Sequence, residues 1–462
     1  MSEPLPQFPA DFRWGVSTAA YQIEGAVGED GRGPSIWDTF SHEPDRISDG
    51  STGDVTCDHY HRWPEDVELM AQLGVGAYRF SIAWPRIQPT GSGPVNQAGI
   101  AFYDRLVDEL LTHGIDPVAT LFHWDLPQPL QDNGGWANRD TAAHFGEYAA
   151  VMSEALGDRV KLWITLNEPF IHLAMGHLIG IHAPGITGTV DLLAVAHHQL
   201  LGHGLAVSAI REQPGARVSI ANNYTPVWAV GTDGTKATAT EEDHAAAFIY
   251  DALHNRMFTD PLLLGRYPDG FEALSAGDPD AIVLDGDLTV ISAPLDVLGV
   301  NYYSPTGIGA PSTGMGAFEA SPVPFDLRQL SGYATTDFGW PIVPDGLRET
   351  LVTLHERYAG TLPPIWITES GCAYHTGPDT DGSIVDSARI DYLDGHLRAL
   401  RTAIDAGVDV QGYCHWSLLD NWEWAEGFGQ RFGLVYVDYA TGTRTPKASF
   451  SWYRDVIARS RQ

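Results

Sequence analysis

Cysteine, basic residues and long apolar segments are all scarce in this sequence. Only three cysteines occur among 462 residues, and no two of them form a CxxC pair. This usage is typical of a reducing compartment or of a fold without disulfides. The N-terminus has several prolines but neither a basic segment nor an apolar core, so we see no secretory signal, and no stretch is long enough to span a bilayer. These features predict a cytoplasmic protein with no membrane partner.

The charge balance is strongly acidic. Lys and Arg number 27 against 59 Asp and Glu, a formal net charge of −32. Such a surface repels phosphate backbones and anionic lipid, so nucleic acid is not an expected partner. His59 and His61 resemble a ligand pair, but no third ligand is spaced to complete a metal site. We therefore expect no metal. The simplest interpretation of the charge is solubility.

Short apolar runs alternate with amphipathic helical segments along the whole chain. This rhythm predicts a closed (β/α)8 barrel, because parallel strands need helical crossovers. An open doubly wound sheet is the alternative, but no GxGxxG follows the first run and eight runs favour closure. We predict a single catalytic domain, residues 1–462, with expanded loops, of which Ser304–Asp337 is expected to be an entrance loop or lid. The predicted strands are Phe12–Val16, Ala77–Ile82, Asp116–Phe122, Leu162–Leu166, Arg217–Asn222, Val297–Asn301, Pro364–Thr368 and Val410–His415.

The sequence indicates where four of the helices end. Each is followed by a glycine (Gly74, Gly114, Gly157 or Gly407) that we expect to adopt the left-handed conformation of a helix terminus. Pro64 is expected in the first turn of its helix. The predicted helices are Pro64–Leu73, Ala98–His113, Thr141–Leu156 and Ala388–Ala406.

Two carboxylates follow predicted strands at the face where a barrel carries its active site. Glu168 ends the fourth strand (TLNEP) and Glu369 ends the seventh (ITESG). Each could merely cap a helix or pair with an arginine. Two such groups facing a Trp-rich opening instead suit glycoside cleavage, in which one carboxyl protonates the leaving oxygen and the other engages the anomeric carbon. The fourteen Trp of the chain also suit sugars, whose C–H faces stack on rings.

These two motifs resemble the paired signatures of glycoside hydrolase family 1, the β-glucosidase family. The resemblance covers nearly the whole chain, because further family-like segments occur in the family's order: FRWGVSTAAYQIEG, SIWDTF, YRFSIAWPRI, FHWDLP, HAPG, LGVNYYSP, DFGWPI, SLLDNWEWAEGF and RFGLVYVD. It implies a (β/α)8 barrel, in agreement with the strand count, and a retaining mechanism without a cofactor.

The resemblance also implies roles for individual residues. Glu168 matches the acid/base, Glu369 the nucleophile, and Arg79 and Tyr303 the groups that hydrogen-bond the nucleophile. Asn167 matches the residue that holds the sugar 2-hydroxyl. The remaining substrate-binding residues are expected to be Gln22, His123, Trp124, Asn301, Trp340, Trp416, Glu423, Trp424 and Phe432, with Trp340 as the platform for the aglycone.

Particular side chains narrow the range of expected substrates. Glu423 would repel a phosphate dianion near the sugar 4- and 6-hydroxyls, so we expect non-phosphorylated substrates. Glu168 argues against the thioglucosidases, which carry Gln at that position. Three departures from the usual family residues, Phe170, Ser370 and Trp422, leave the aglycone preference and the rate open.

The primary hypothesis is therefore hydrolysis of small β-glucosides such as cellobiose or aryl glucosides, with fucosides and galactosides also accepted. A transglycosylating β-glycosidase is an alternative that product analysis would distinguish. A catalytically silent sugar-binding barrel is another, although both catalytic carboxylates are present. The oligomeric state is left open.

Overall fold

The computed structural model describes residues 5–188, 190–311 and 324–461. Within these residues, eight parallel strands close into a barrel in which each strand pairs with its neighbours in the sequence and β1 pairs with β8. The predicted (β/α)8 barrel is confirmed, and each predicted strand lies within a residue or two of an observed one. The strands are β1 Arg13–Ser17, β2 Ala77–Ser81, β3 Asp116–Phe122, β4 Leu162–Asn167, β5 Arg217–Asn223, β6 Val297–Asn301, β7 Ile365–Ser370 and β8 Val410–Trp416.

Helices surround the barrel and cross over between its strands. The longer ones are His59–Leu73, Gln97–Thr112, Asp140–Leu156, Leu192–Ile210, Glu241–Asp251, Pro344–Arg357, Ser387–Asp405 and Ala448–Ser460. Shorter ones are Ala20–Ile23, Ile36–His42, Trp84–Ile87, Gln128–Asp132, Pro169–Leu173, Asp260–Leu264 and Asp287–Ile291, and two π-helical segments span Ala174–Ile179 and Ala252–Arg256. Across the described residues, no helix is both long and apolar enough to cross a membrane.

Side chains from the strands fill the barrel interior below the site. One buried cluster takes members from β2 to β8, among them Val118, Val297 and Trp366. Gly412 makes room for the indole of Trp366, because a Cβ at this glycine would lie 2.9 Å from the ring. The interior is therefore a packed core, and the cavity described below lies at the carboxyl ends of the strands.

Two predictions about helix ends are wrong. Pro64 lies inside its helix rather than in the first turn, because Asp58 begins the helix one turn earlier and its carbonyl accepts the backbone N–H groups of His61 and Arg62. Gly157 is not left-handed; its φ is −69°. A Cβ there would lie 2.3 Å from the Ser153 carbonyl oxygen, so close packing explains this glycine. The other three glycines are left-handed as predicted.

The segment expected to be an entrance loop contains strands. Thr306–Gly309 pairs antiparallel with Asp326–Arg328 and parallel with Val227–Ala229. Arg328 stabilises this small sheet, because its guanidinium donates hydrogen bonds to the Val230 carbonyl and to the Asp243 carboxylate. Residues 312–323 of the predicted loop lie outside the described residues. A separate hairpin joins Val435–Asp438 to Thr443–Pro446.

Candidate active site

A cavity of about 560 Å³ opens at the carboxyl ends of the strands, a volume in the range of small-molecule sites. Ten of the predicted site residues line it: His123, Trp124, Glu168, Tyr303, Trp340, Glu369, Trp416, Glu423, Trp424 and Phe432. The other four, Gln22, Arg79, Asn167 and Asn301, are buried directly behind this wall and hydrogen-bond to it. The structure thus brings all fourteen together.

Glu369 is held by two donors at the end of β7. Arg79 Nη1 donates to its Oε1 at 2.5 Å, and the Tyr303 hydroxyl donates to its Oε2 at 2.6 Å. Burial and the negative charge of Glu369 hold the pKa of Tyr303 well above its usual value, so the phenol stays protonated and donating. Both carboxylate oxygens are therefore fixed, and the guanidinium balances their charge in a desolvated site.

Glu168 follows β4 in a left-handed conformation with φ of 46°. Its backbone N–H donates to the Ala221 carbonyl at 2.7 Å, which ties the turn to β5. The residue precedes helix Pro169–Leu173, but its side chain does not cap that helix. Instead, Oε1 accepts the amide groups of Asn301 at 2.7 Å and Asn223 at 3.2 Å. The capping alternative is thus excluded for this carboxyl.

The environment of Glu168 favours its protonated form. Burial, reinforced by the negative charge of Glu369, raises its pKa to about 8, while the amides of Asn301 and Asn223 act in the opposite direction. A carboxyl with this pKa is protonated at neutral pH and can donate a proton. Two carboxyls therefore face one cavity in contrasting surroundings, one paired with a cation and one protonated.

A hydrogen-bonded network extends from these carboxyls to the floor of the cavity. Asn167 accepts from Arg79 Nη2 at 2.6 Å and directs its own amide to His123 Nε2 at 3.1 Å. Burial and the charge of Arg79 hold the pKa of His123 well below its usual value, so the imidazole is neutral. On the opposite side, Gln22 Nε2 donates to Glu423 Oε2 at 3.1 Å. These fixed polar groups are suited to binding hydroxyl groups.

Glu423 is a third buried carboxyl on the cavity wall. Burial raises its pKa to about 8 even though Gln22 donates to it, and the charges of Glu369 and Glu168 add to the shift. Protonated or ionised, this group offers hydrogen bonds to a neutral hydroxyl and no attraction to an anion.

Aromatic rings form a large part of the wall. Trp124 donates its indole N–H to the Asn167 carbonyl at 2.9 Å, and its ring centroid lies 4.7 Å from that of Trp424. Toward the entrance, the Trp340 ring lies 4.3 Å from Phe338 and 5.1 Å from Tyr303. The predicted platform residue therefore lies at the cavity, beside the residue that holds Glu369.

The residues that depart from the family pattern have defined places. Phe170 lines the cavity, and its ring centroid lies 4.1 Å from that of His254. Trp422 is buried and donates its indole N–H to the Ser51 hydroxyl at 2.9 Å. Ser370 is buried in β7 beside Glu369. Phe170 alone among the three lines the cavity.

Sequence reasoning missed Asn223 and His254. Asn223 is the last residue of β5, and the pair Asn222-Asn223 at the end of this predicted strand is the sequence signal that could have identified it. His254 lies in the π-helical segment Ala252–Arg256, between β5 and β6, and no sequence pattern placed it near the site. Both line the cavity.

A carboxyl pair across a Trp-lined cavity at the mouth of a (β/α)8 barrel is the site of a glycoside hydrolase. Comparison with known proteins makes the assignment specific. The family model for glycosyl hydrolase family 1 matches residues 5–462, and the chain belongs to that family.

Named relatives and solved structures are similar over nearly the full length. The thermostable β-glucosidase B of Thermobispora bispora is 48% identical, with 98% of this chain and 91% of the relative covered. The bifunctional β-D-glucosidase/β-D-fucosidase of Bifidobacterium breve is 44% identical, with 98% of each covered. The crystal structure of the psychrophilic β-glucosidase BglU of Micrococcus antarcticus has a TM-score of 0.93 at 41% identity, with 99% of this chain and 98% of that chain covered.

Proposed function

We propose that this glycoside hydrolase is a retaining β-glucosidase, with Glu369 as nucleophile and Glu168 as acid/base. The observation that carries the proposal is the contrast between the two carboxyls. Arg79 and Tyr303 hold both oxygens of Glu369, whereas Glu168 has a pKa raised to about 8 by burial and by the charge of Glu369. A nucleophile and an acid with these opposite environments are what double displacement requires.

The catalytic cycle follows from their coupling. Glu369 attacks the anomeric carbon and forms a glycosyl ester, while Glu168 gives its proton to the departing glycosidic oxygen. The ester no longer carries the charge that raised the pKa of Glu168, so that pKa falls and Glu168 becomes a base. It then takes a proton from water, whose oxygen attacks the anomeric carbon and releases Glu369. No step requires a metal or a cofactor.

Other site residues hold the sugar in this proposal. Asn167, fixed by Arg79 and His123, faces the sugar 2-hydroxyl, a bond that should strengthen in the transition state. Gln22 and Glu423 face the hydroxyls at the far side of the ring, where Gln22 Oε1 is buried and has no hydrogen-bond partner among the residues that the structure describes. Asn301 supports both Asn167 and Glu168. The indoles of Trp124, Trp416 and Trp424, with Phe432, form the wall, and Trp340 stacks on the aglycone.

Small, non-phosphorylated β-glucosides are the proposed substrates, with cellobiose from cellulose breakdown and aryl glucosides as the leading examples. Fucosides are included because a relative 44% identical is named for both glucosidase and fucosidase activities. Galactosides remain a prediction from the family resemblance. Glu423 supports the exclusion of sugar phosphates, because its side chain takes up room that a phosphate would need and, in its ionised form above about pH 8, it repels a dianion. The single catalytic domain over residues 1–462 is part of the proposal, supported by the uninterrupted match to residues 5–462. The cytoplasmic location remains a prediction.

Product stereochemistry tests the proposal. The enzyme should release p-nitrophenol from its β-glucoside, and proton NMR should detect β-glucose first, with α-glucose appearing only at the rate of mutarotation. If α-glucose forms first, the enzyme inverts and Glu369 is not a nucleophile. Product analysis at high acceptor concentration measures transglycosylation; predominant transfer in dilute cellobiose would favour that alternative.

A further inference from the structure

The amide of Asn223 is oriented from behind by a histidine. Because the Asn223 Nδ2 group donates to Glu168 Oε1 at 3.2 Å, its Oδ1 must face the other way, and it lies 2.8 Å from His254 Nε2. A carbonyl oxygen only accepts, so His254 Nε2 carries the hydrogen. The same ring has Nδ1 at 3.0 Å from the Tyr250 hydroxyl. A neutral imidazole thus has one donor and one acceptor, and both are used.

The position of His254 is itself unusual. Helix Glu241–Asp251 continues into a π-helical segment, Ala252–Arg256, that includes this histidine. Such segments are frequent at functional sites, because the wider turn redirects side chains. His254 is 6% exposed and packs at 4.1 Å from the ring of Phe170, so its orientation is fixed by packing as well as by hydrogen bonds.

The consequence is an asymmetry between the two oxygens of Glu168. Oε1 accepts two amide groups, from Asn223 and from Asn301, and Asn301 is in turn fixed by the Thr368 hydroxyl, which donates to its Oδ1 at 2.6 Å. With both donors directed at Oε1, a proton on Glu168 belongs on Oε2. An acid whose proton is confined to one oxygen delivers it in one direction only.

We propose that His254, acting through Asn223, is a positioning residue that keeps the transferable proton of Glu168 on Oε2. The proposal rests on the proposed role of Glu168 as acid/base. His254 makes no hydrogen bond to Glu168; it fixes the Asn223 amide, and Asn223 fixes the carboxyl. Loss of His254 frees the amide to rotate, which removes a donor to Oε1 and leaves the proton distributed over both oxygens.

The charged and titratable groups around His254, Asn223 and Glu168 determine which pKa a pH profile measures. Burial lowers the pKa of His254 to about 3, so the ring stays neutral over the working range. The groups that act electrostatically on His254 or Glu168 are Asp251, Glu369, Arg79, Tyr303 and Glu423. None of these side chains changes in the variants below, so a shift of the alkaline limb reports Glu168.

The test compares His254→Phe and Asn223→Ala with the wild type on two substrates. Cellobiose needs protonation of its leaving oxygen, whereas 2,4-dinitrophenyl β-glucoside does not. Each variant should lower kcat/KM for cellobiose roughly tenfold, which is a part of the 10²–10⁴-fold that acid catalysis supplies. Each should also move the alkaline limb of the pH profile of kcat/KM to higher pH, because the Asn223 amide lowers the pKa of Glu168. kcat/KM for the dinitrophenyl substrate should change less than about twofold, because its leaving group needs no acid.

The double variant separates positioning from a general structural effect. Because His254 acts through Asn223, His254→Phe should add nothing to Asn223→Ala. His198, another buried histidine, lies with its Nδ1 3.0 Å from the Trp136 carbonyl and does not line the cavity. Its replacement by Phe is the matched control and should not shift the alkaline limb. Three results would overturn the proposal: losses of kcat/KM that add in the double variant, an alkaline limb that does not move in the single variants, or equal losses of kcat/KM on cellobiose and on the dinitrophenyl substrate.

The acid/base assignment is checked separately. Glu168→Ala with azide should convert the dinitrophenyl substrate to β-glucosyl azide. If this rescue fails, the role of Glu168 is wrong; if it succeeds while the His254 variants behave as wild type, only the positioning proposal is wrong.

Discussion

Arg79 and Glu369 form an ion pair at 2.5 Å although their side chains are only 1% and 4% exposed. The same guanidinium donates to Asn167 Oδ1 at 2.6 Å. One cation therefore compensates the proposed nucleophile and orients the amide proposed to hold the sugar 2-hydroxyl. The two functions of the site, attack and sugar binding, are coupled through a single side chain.

Replacement of Arg79 by Met should damage both stability and activity. Breaking a buried pair leaves an uncompensated charge, which costs about 3–5 kcal/mol, and the folded fraction should lose roughly 10²–10³ in kcat/KM. Thermal melting and steady-state kinetics measure these effects. The matched control is Arg86→Met, which breaks the buried pair with Glu24 at 2.9 Å, away from the cavity. It should destabilise similarly without lowering kcat/KM of the folded enzyme; equal kinetic losses would refute the role of Arg79.

The pH profile should report the raised pKa of Glu168. Since Glu168 must be protonated to act as an acid, kcat/KM for p-nitrophenyl β-glucoside should fall as pH rises through about 8. Glu168→Gln cannot ionise, so the profile of its residual activity on the same substrate should lack this limb. Glu423 has a similar pKa, and Glu423→Gln should retain the limb. A limb that disappears in Glu423→Gln and persists in Glu168→Gln would reverse the assignment.

Asn167→Ala should affect substrates according to their 2-hydroxyl. The loss of one donor to a developing charge costs roughly 10²–10³ in rate, so kcat/KM for p-nitrophenyl β-glucoside should fall by that factor. The corresponding 2-deoxyglucoside, which cannot make the bond, should lose far less. Equal losses on both substrates would mean that Asn167 only supports the network of Arg79 and His123.

Glu423 should control discrimination against sugar phosphates. Glu423→Ser should narrow the preference for p-nitrophenyl β-glucoside over its 6-phosphate by about tenfold or more, because room is gained and, above about pH 8, a negative charge is also removed. Glu423→Gln removes the charge without adding room, so its effect above about pH 8 separates the two causes. An unchanged ratio in both variants would show that phosphate is excluded elsewhere.

The sequence predicted the barrel well because each parallel strand is buried on both faces and therefore reads as a continuous apolar run. Strand-end position predicted that Glu168 and Glu369 lie at one cavity, because strand ends converge there, and the family resemblance supplied the other twelve site residues. Sequence reasoning failed where structure depends on distant partners. Thr306–Gly309 falls in a predicted loop because its strand partner, Val227–Ala229, is far away in the chain. The error at Pro64 is local, because the helix begins at the Asp58 cap, ahead of the proline.

His254 was beyond sequence reasoning for a physical reason. Its approach to Asn223 depends on a π-helical turn, and the hydrophobic periodicity of helix Glu241–Asp251 gives no sign of that widening. Asn223 could have been predicted from the sequence, because it is the last residue of β5 and follows directly after the predicted end of that strand.

The central claim is that Glu369 is the nucleophile of a retaining enzyme. It is tested most directly by Glu369→Gly assayed on 2,4-dinitrophenyl β-glucoside with and without azide. The variant should be inactive alone, and azide should restore turnover and yield α-glucosyl azide, because the small anion attacks from the face that the carboxylate occupied. Full activity without azide, or a rescued product of β configuration, would contradict the account.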